Sequence, residues 1–341
     1  NIAIELAGST AGADVAITDD SSTGKIESAS INSISAANTL TTLGLNGASS
    51  LSITGDQSLT LVQALEATVT SIDASGMTGA VGVSLSADPA ASAVTGITIT
   101  GSAGVDSLRG SASGADNISA GGGNDTITFG TDGQLNYLDV VDGGDGTDTV
   151  STANAAIVAS VLGGLSNVEK LTQTAAGTIT LSENVGPTNF VLTADSAQNI
   201  TFNDDYSQAT TVTILGDTDS TDTVTNNSNI DLTVVAYSSD FVEANTTITG
   251  SATSTDSIVM YANGDGDWDT DSAATITGID NLTINSTIGL TGAYSAATTM
   301  DLGPIATPIT VVSNLSALDG TLTLDFDQAG SVYGTVNYTG G

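Results

Sequence analysis

Between Gly101 and Gly130 the chain reads GSAGVDSLRGSASGADNISAGGGNDTITFG, a glycine, glycine, aspartate, aliphatic unit that recurs about every nine residues. A period this short leaves room for one tight turn and one three-residue strand per unit, which restricts the fold severely. Glycines permit the positive φ such a turn needs and let backbone carbonyls point inward. Aligned on the aspartate, the turns are GSAGVDSLR (Gly101 to Arg109), SASGADNIS (Ser111 to Ser119), AGGGNDTIT (Ala120 to Thr128) and GGDGTDTVS (Gly143 to Ser151). Their aspartates are Asp106, Asp116, Asp125 and Asp148, and the aliphatics two residues later, Leu108, Ile118, Ile127 and Val150, are expected to face inward. Gly110 lengthens the first interval to ten residues, and the second turn lacks its leading glycines.

Turns of this kind offer only carboxylate and carbonyl oxygens, and the whole chain has no Cys and no His. Soft and borderline metals therefore lack their preferred donors, while Ca²⁺ accepts six to eight oxygens in flexible geometry and Mg²⁺ tends to keep its waters. A parallel β-roll that binds Ca²⁺ is the expectation. The alternative for any single turn is a flexible glycine-rich loop that happens to carry aspartate.

The nonapeptide resembles the RTX repeat of Gram-negative proteins exported by type I secretion. In that family alternate turns lie on the same side of the roll, with a calcium ion between one turn and the next but one. By position, the resemblance pairs Asp106 with Asp125, and Asp116 with Asp148 if Phe129 to Asp142 loops out. The expected oxygen donors are Gly101, Ala103 and Asp106 in the first turn, Ser111 and Asp116 in the second, Gly121, Gly123 and Asp125 in the third, and Gly143, Asp145 and Asp148 in the fourth.

The charge balance sets further limits. With 38 acidic residues against only Lys25, Arg109 and Lys170, the formal charge is -35. Nucleic acid is excluded as a partner, because phosphate binding needs clustered Lys and Arg. Adsorption to an anionic bilayer through a basic patch is excluded for the same reason. Self-repulsion of this size weakens a compact state unless counter-ions neutralise it, which favours a calcium-rich exterior over the cytosol. No apolar run reaches the eighteen or more residues of a membrane-spanning helix. The sequence starts without Met or a basic leader and stops at Gly340-Gly341, so a segment of a longer polypeptide is expected.

Outside the repeat, Thr and Ser alternate with Val, Ile and Leu, as in VTGITITG, GTITLS, DLTVVAY, DNLTINST and GTLTLDFD. Period-two patterns broken by Gly, Asn and Asp every eight to twelve residues mean short strands and an all-β fold. Helical signal is confined to Leu61 to Ala67 (LVQALEA) and Ala155 to Leu165. Aspartate followed by Ser or Thr and then an aliphatic recurs at Asp148, Asp222 and Asp256, and LSNVEKLT and ITGIDNLTI resemble each other about twenty residues after two of these. Such spacing suggests the stacked coils of a β-solenoid or repeated strand layers, each burying its aliphatic face against the next. The expected division is a β-rich strand-repeat region over 1–100, the calcium roll over 101–151, and a β-rich region with degenerate calcium turns over 152–341.

The combination of VTSIDASGMTG, VTGITITGSAGVDSLRGS, the glycine-aspartate turns, DVVDGGDGTDTVS and LSNVEKLT resembles surface-layer proteins that carry RTX repeats, of the Caulobacter type. The resemblance spans roughly Leu40 to Leu290 in style, and Gly101 to Ser151 in specific motifs. It implies an extracellular subunit on a Gram-negative cell, joined to copies of itself by calcium in a two-dimensional lattice and tethered to lipopolysaccharide by a separate domain. No anchoring domain or export signal is recognisable. A stalk or ligand-binding region of a secreted RTX adhesin is the second reading, and a secreted hydrolase whose catalytic domain lies elsewhere is the third.

Asn263 to Asp271, NGDGDWDTD, places oxygen donors at alternate positions, among them Asp265, Asp267 and Asp269. It lacks the sixth-position Gly and the twelfth-position Glu of an EF-hand, which leaves a different calcium loop or a solvated acidic loop. Catalysis is not expected: without His or Cys there is no imidazole base, thiol nucleophile or Ser-His-Asp triad, and nothing singles out a carboxylate pair.

Overall fold

β-Branched side chains alternating with polar ones favour extended backbone with one face buried. Strands of two to eight residues form accordingly along the chain. The computed structural model describes residues 1–8, 13–17, 26–45, 47–89, 96–194, 196–215, 222–237, 246–261, 275–285, 298–301, 310–314, 322–325 and 336–339. Among the described residues every strand pairing is parallel. The chain forms a β-solenoid, and it divides into two units: Asn1–Asn154 with Ser160–Leu171, and Ala155–Ala159 with Thr172–Gly341. The segment 101–151 lies inside the first.

In the first unit consecutive strands alternate between two sheets. One sheet runs Ile2–Ala7, Ser28–Ile34, Ser50–Gly55, Ser71–Met77, Thr98–Thr100, Asn117–Ser119, Val140–Asp142 and Leu165–Ser166. The other contains, in order, Ala13–Ile17, Asn38–Leu45, Leu59–Leu61, Val83–Leu85, Ser107–Arg109, Thr126–Phe129 and Thr149–Thr152. One coil is thus a strand, a turn, a strand of the opposite sheet and a second turn. Parallel neighbours need a long crossover, and here the crossover is a strand of the other sheet. The second unit repeats the plan. Ala156–Val158, Gly177–Leu181, Gln198–Phe202, Thr223–Asn226, Thr247–Thr249 and Thr275–Thr277 form one sheet, and Asn189–Leu192, Thr210–Ile214, Leu232–Tyr237, Ser257–Tyr261 and Asn281–Asn285 follow one another in the second.

Register turns the repeat into columns. Leu51, Ile72, Ile99, Ile118 and Val141 are paired in succession along one sheet, and Leu108, Ile127 and Val150 along the other. The four aliphatics expected to face inward, Leu108, Ile118, Ile127 and Val150, are each 0 % exposed. In the second unit Ile179, Ile200, Val224 and Ile248 form the equivalent column. Phe190, Phe202 and Tyr206 enlarge its core, with ring centroids 5.8 and 5.1 Å apart. Each fully buried aliphatic contributes about 1.5–3 kcal/mol relative to exposure, so stability is spread along the stack.

The two helical expectations yield little helix. Leu59–Leu61 is a strand held in register with Val83–Leu85, and the residues after it to Ala67 are not helical. Seven residues are too few for a helix that must nucleate alone, and pairing with the next coil captures Leu61. Ala155 to Leu165 splits into the strand Ala156–Val158, a single helical turn Ala159–Leu162 and the start of Leu165–Ser166.

Column packing has a direct test. Ile127→Ala is expected to lower stability by about 2–5 kcal/mol, whereas Thr126→Ala, on the outward side of the same strand, should change it by less than about 0.5 kcal/mol. Urea unfolding at fixed calcium concentration reads both.

Candidate metal centre in the stacked turns

Side chains two residues apart on a strand share a face, so an aspartate two positions before a buried aliphatic must point inward as well. Asp106, Asp116, Asp125 and Asp148 are accordingly 0–2 % exposed. Buried carboxylates are costly unless hydrogen-bonded, and the stacking of coils supplies the first bond. The Asp106 N–H donates to Asp125 Oδ1 at 2.7 Å, and the Asp125 N–H donates to Asp148 Oδ1 at 2.7 Å. The column extends in both directions: the Val83 N–H donates to Asp106 Oδ1 at 2.6 Å, and the Asp148 N–H to Glu169 Oε2 at 2.7 Å. On the other side of the solenoid the Ile97 N–H reaches Asp116 Oδ1 and the Asp116 N–H reaches Asp139 Oδ1, each at 2.8 Å.

Asp106 and Asp125 therefore stand together. Asp116 and Asp148 do not: Asp148 lies next to Asp125 in the first column, and Asp116 neighbours Asp139 in the second. The cause is that Phe129 to Asp142 does not loop out. Phe129 ends the strand Thr126–Phe129, and Val140–Asp142 pairs in register with Asn117–Ser119 and so completes a coil of its own. Asp139 is hidden because Tyr137 stands two residues before it, where Gly104, Gly114, Gly123 and Gly146 precede the other four, yet Asp139-Val140-Val141 carries the same aspartate-to-aliphatic spacing. Glu169-Lys170-Leu171 does the same with one more methylene.

The turn backbones pack directly on one another. The Gly122 N–H donates to the Ser102 carbonyl at 3.0 Å, the Asp145 N–H to the Gly121 carbonyl at 2.9 Å, and the Gly123 N–H to the Asp145 carbonyl at 2.8 Å. Gly121 (φ 106°) and Gly144 (φ 91°) are required here, because a Cβ on either would lie 2.0 Å from a carbonyl oxygen of the preceding coil. Of the other expected donors, Gly101, Ser111 and Gly143 are buried in their turns, while Ala103 and the Asp145 residue are exposed. Asp265, Asp267 and Asp269 lie outside the described residues.

The second carboxylate oxygen separates the rungs. Asp106 Oδ2 accepts from the Ser102 N–H at 2.7 Å, Asp116 Oδ2 from the Ser111 N–H at 2.8 Å, and Asp139 Oδ2 from the Asn136 N–H at 2.7 Å. Asp125 Oδ2 and Asp148 Oδ2 are buried with no hydrogen-bond partner. Burial pushes the Asp125 carboxyl up to about 7, and the neighbouring Asp106 and Asp148 carboxylates push the same way. Asp148 is raised by burial too, with Glu169 and Asp142 adding repulsion. Burial raises Asp106 against its bonds from Ser102 and Val83, and raises Asp139 to about 6 against its bonds from Asp116 and Asn136.

An unpartnered buried carboxylate oxygen calls for a proton or a cation. Two of them on consecutive rungs, with hard oxygen donors alone around them, fit Ca²⁺. Among the described residues no three acidic side chains converge as a metal-binding group, so turn carbonyls would have to complete the coordination. In the second unit the degenerate turns occupy the same structural position. Asp222 Oδ1 accepts the Gln198 N–H at 2.8 Å, and Asp256 Oδ1 accepts the Leu232 N–H at 2.9 Å.

The raised Asp125 carboxyl fixes the sign of a pH effect. Between its ordinary value of 3.8 and about 7 the folded chain holds a proton that the unfolded chain has lost, so without metal its contribution to stability falls as pH rises through that window. In EDTA, the urea midpoint of the wild type should drop from pH 4 to 7.5 more steeply than that of Asp125→Asn. Parallel curves would refute the assignment. No family model, no curated protein and no solved structure matches the chain.

Proposed function

We propose that this chain is a non-catalytic structural segment of a bacterial surface coat, a surface-layer subunit whose solenoid is ordered by calcium. The observation that supports this reading best is the pair of buried, unpartnered oxygens on Asp125 and Asp148, stacked one coil apart. Calcium taken up there offsets the repulsion between rungs and ties successive turns together. A charge of -35 with three basic residues suits an exterior rich in divalent cations, and no helix among the described residues is long and apolar enough to cross a membrane. Stacked parallel strands then present long, regular faces to neighbouring copies, and contacts that repeat in two directions give a sheet instead of a closed oligomer. Attachment to lipopolysaccharide belongs to a region not identified in this sequence.

Assembly tests the proposal. Like charges facing across a contact repel over about a Debye length, roughly 10 Å at 0.1 M salt. Sodium chloride screens that repulsion, whereas calcium also bridges carboxylates of two copies. Millimolar calcium should drive ordered two-dimensional sheets, visible by electron microscopy, at an ionic strength where sodium chloride alone leaves soluble particles. A chain that stays monomeric in calcium would point to the stalk of a secreted adhesin instead.

A further inference from the structure

Asp106, Asp116, Asp125, Asp139, Asp148 and Asp256 are each buried, and a backbone N–H of the adjacent coil donates to Oδ1 of every one of them. The other oxygen depends on what the turn supplies. At Asp106 the Ser102 N–H and hydroxyl both reach Oδ2, at 2.7 and 3.0 Å. At Asp116 the Ser111 N–H reaches Oδ2 at 2.8 Å and its hydroxyl reaches Oδ1 at 2.6 Å. At Asp256, in the second unit, Oδ2 receives the Ser251 N–H at 2.6 Å and the Asn226 amide at 3.1 Å, and the same amide lies 3.0 Å from Oδ1. Asp139 is served twice by Asn136, through its backbone N–H and its side-chain amide.

Asp125 and Asp148 have no such donor. Four residues before each, where Ser102 precedes Asp106, stand Gly121 and Gly144, both at positive φ. Serine cannot replace them, since the Cβ would strike the carbonyl of Ser102 or Gly121 at 2.0 Å. The close stacking that demands glycine is therefore what strips these two rungs of a hydroxyl.

We infer that, among the described residues, the cation requirement is confined to the rungs of Asp125 and Asp148, and that Ser102, Ser111, Asn136 and Asn226 stand in for the cation at the rungs of Asp106, Asp116, Asp139 and Asp256. This rests on the calcium reading above and sharpens it: the repeat looks uniform, but its turns divide into cation-bound and self-satisfied ones. The described coils of the second unit around Asp256, held by Ser251 and Asn226, keep their fold without calcium.

Hydrogen exchange of the full chain with calcium and with EDTA, read by mass spectrometry, tests this without any substitution. At free calcium about 100 times the dissociation constant, opening of the metal-bound segment is suppressed about 100-fold. That protection should centre on 120–128 and 143–151, while 198–202, 223–226 and 257–259 should change less than about twofold, as expected when coupling runs only between neighbouring coils. Calorimetric titration adds an isosteric check: Asp125→Asn and Asp148→Asn should abolish the calcium isotherm, and Asp106→Asn, Asp116→Asn and Asp256→Asn should retain it. Equal calcium protection in both units, or loss of the isotherm in Asp106→Asn and Asp256→Asn, overturns the inference while leaving calcium binding intact. Absence of any isotherm in the wild type overturns the calcium reading itself, and this inference with it.

Discussion

The structure depends on how a buried carboxylate at the start of a strand is satisfied. An aspartate placed two residues before a core aliphatic is carried inward by strand geometry, and once there it must find donors. Its Oδ1 takes the backbone N–H of the equivalent residue in the adjacent coil. The bond fixes the register of one coil on the next, because a slip of one residue would expose Leu108, Ile127 and Val150 and bury Ser and Thr in their place. Hydrophobic columns hold the coils together, and the aspartate columns set their alignment.

Much of this was legible in the sequence. Period-two alternation and frequent turn residues gave short strands and an all-β fold, the recurring aspartate-to-aliphatic spacing suggested stacked coils, and the nine-residue spacing identified all four inward aliphatics between Gly101 and Ser151. The acidic column was only partly legible. A glycine two residues earlier drew attention to Asp106, Asp116, Asp125 and Asp148, but the determinant of burial is the spacing from aspartate to aliphatic, which Asp139 shares with Tyr137 in place of that glycine. Reliance on glycine made Phe129 to Asp142 read as an excursion, and so misplaced the partner of Asp116. LVQALEA misled for a different reason: its leucines have helical spacing, but pairing of Leu59–Leu61 with the neighbouring coil outweighs a helix too short to nucleate.

Glycine has two roles in these turns that sequence alone does not separate. At Gly121 and Gly144 the absence of Cβ lets one turn rest on the next, and no side chain there can donate to Asp125 Oδ2 or Asp148 Oδ2, which are both buried without a hydrogen-bond partner. Where a serine fits, as at Ser102, the rung closes on itself. Close packing thus removes the hydroxyl that adds a second bond to Asp106 Oδ2.

Anomalous X-ray diffraction from crystals of the chain grown in calcium tests the central claim most directly. The account predicts a peak within about 2.3–2.6 Å of Asp125 Oδ2 or Asp148 Oδ2, the usual calcium–oxygen distance. Well-ordered density for both carboxylates with no peak beside either, at calcium concentrations that saturate the protein in solution, would contradict it.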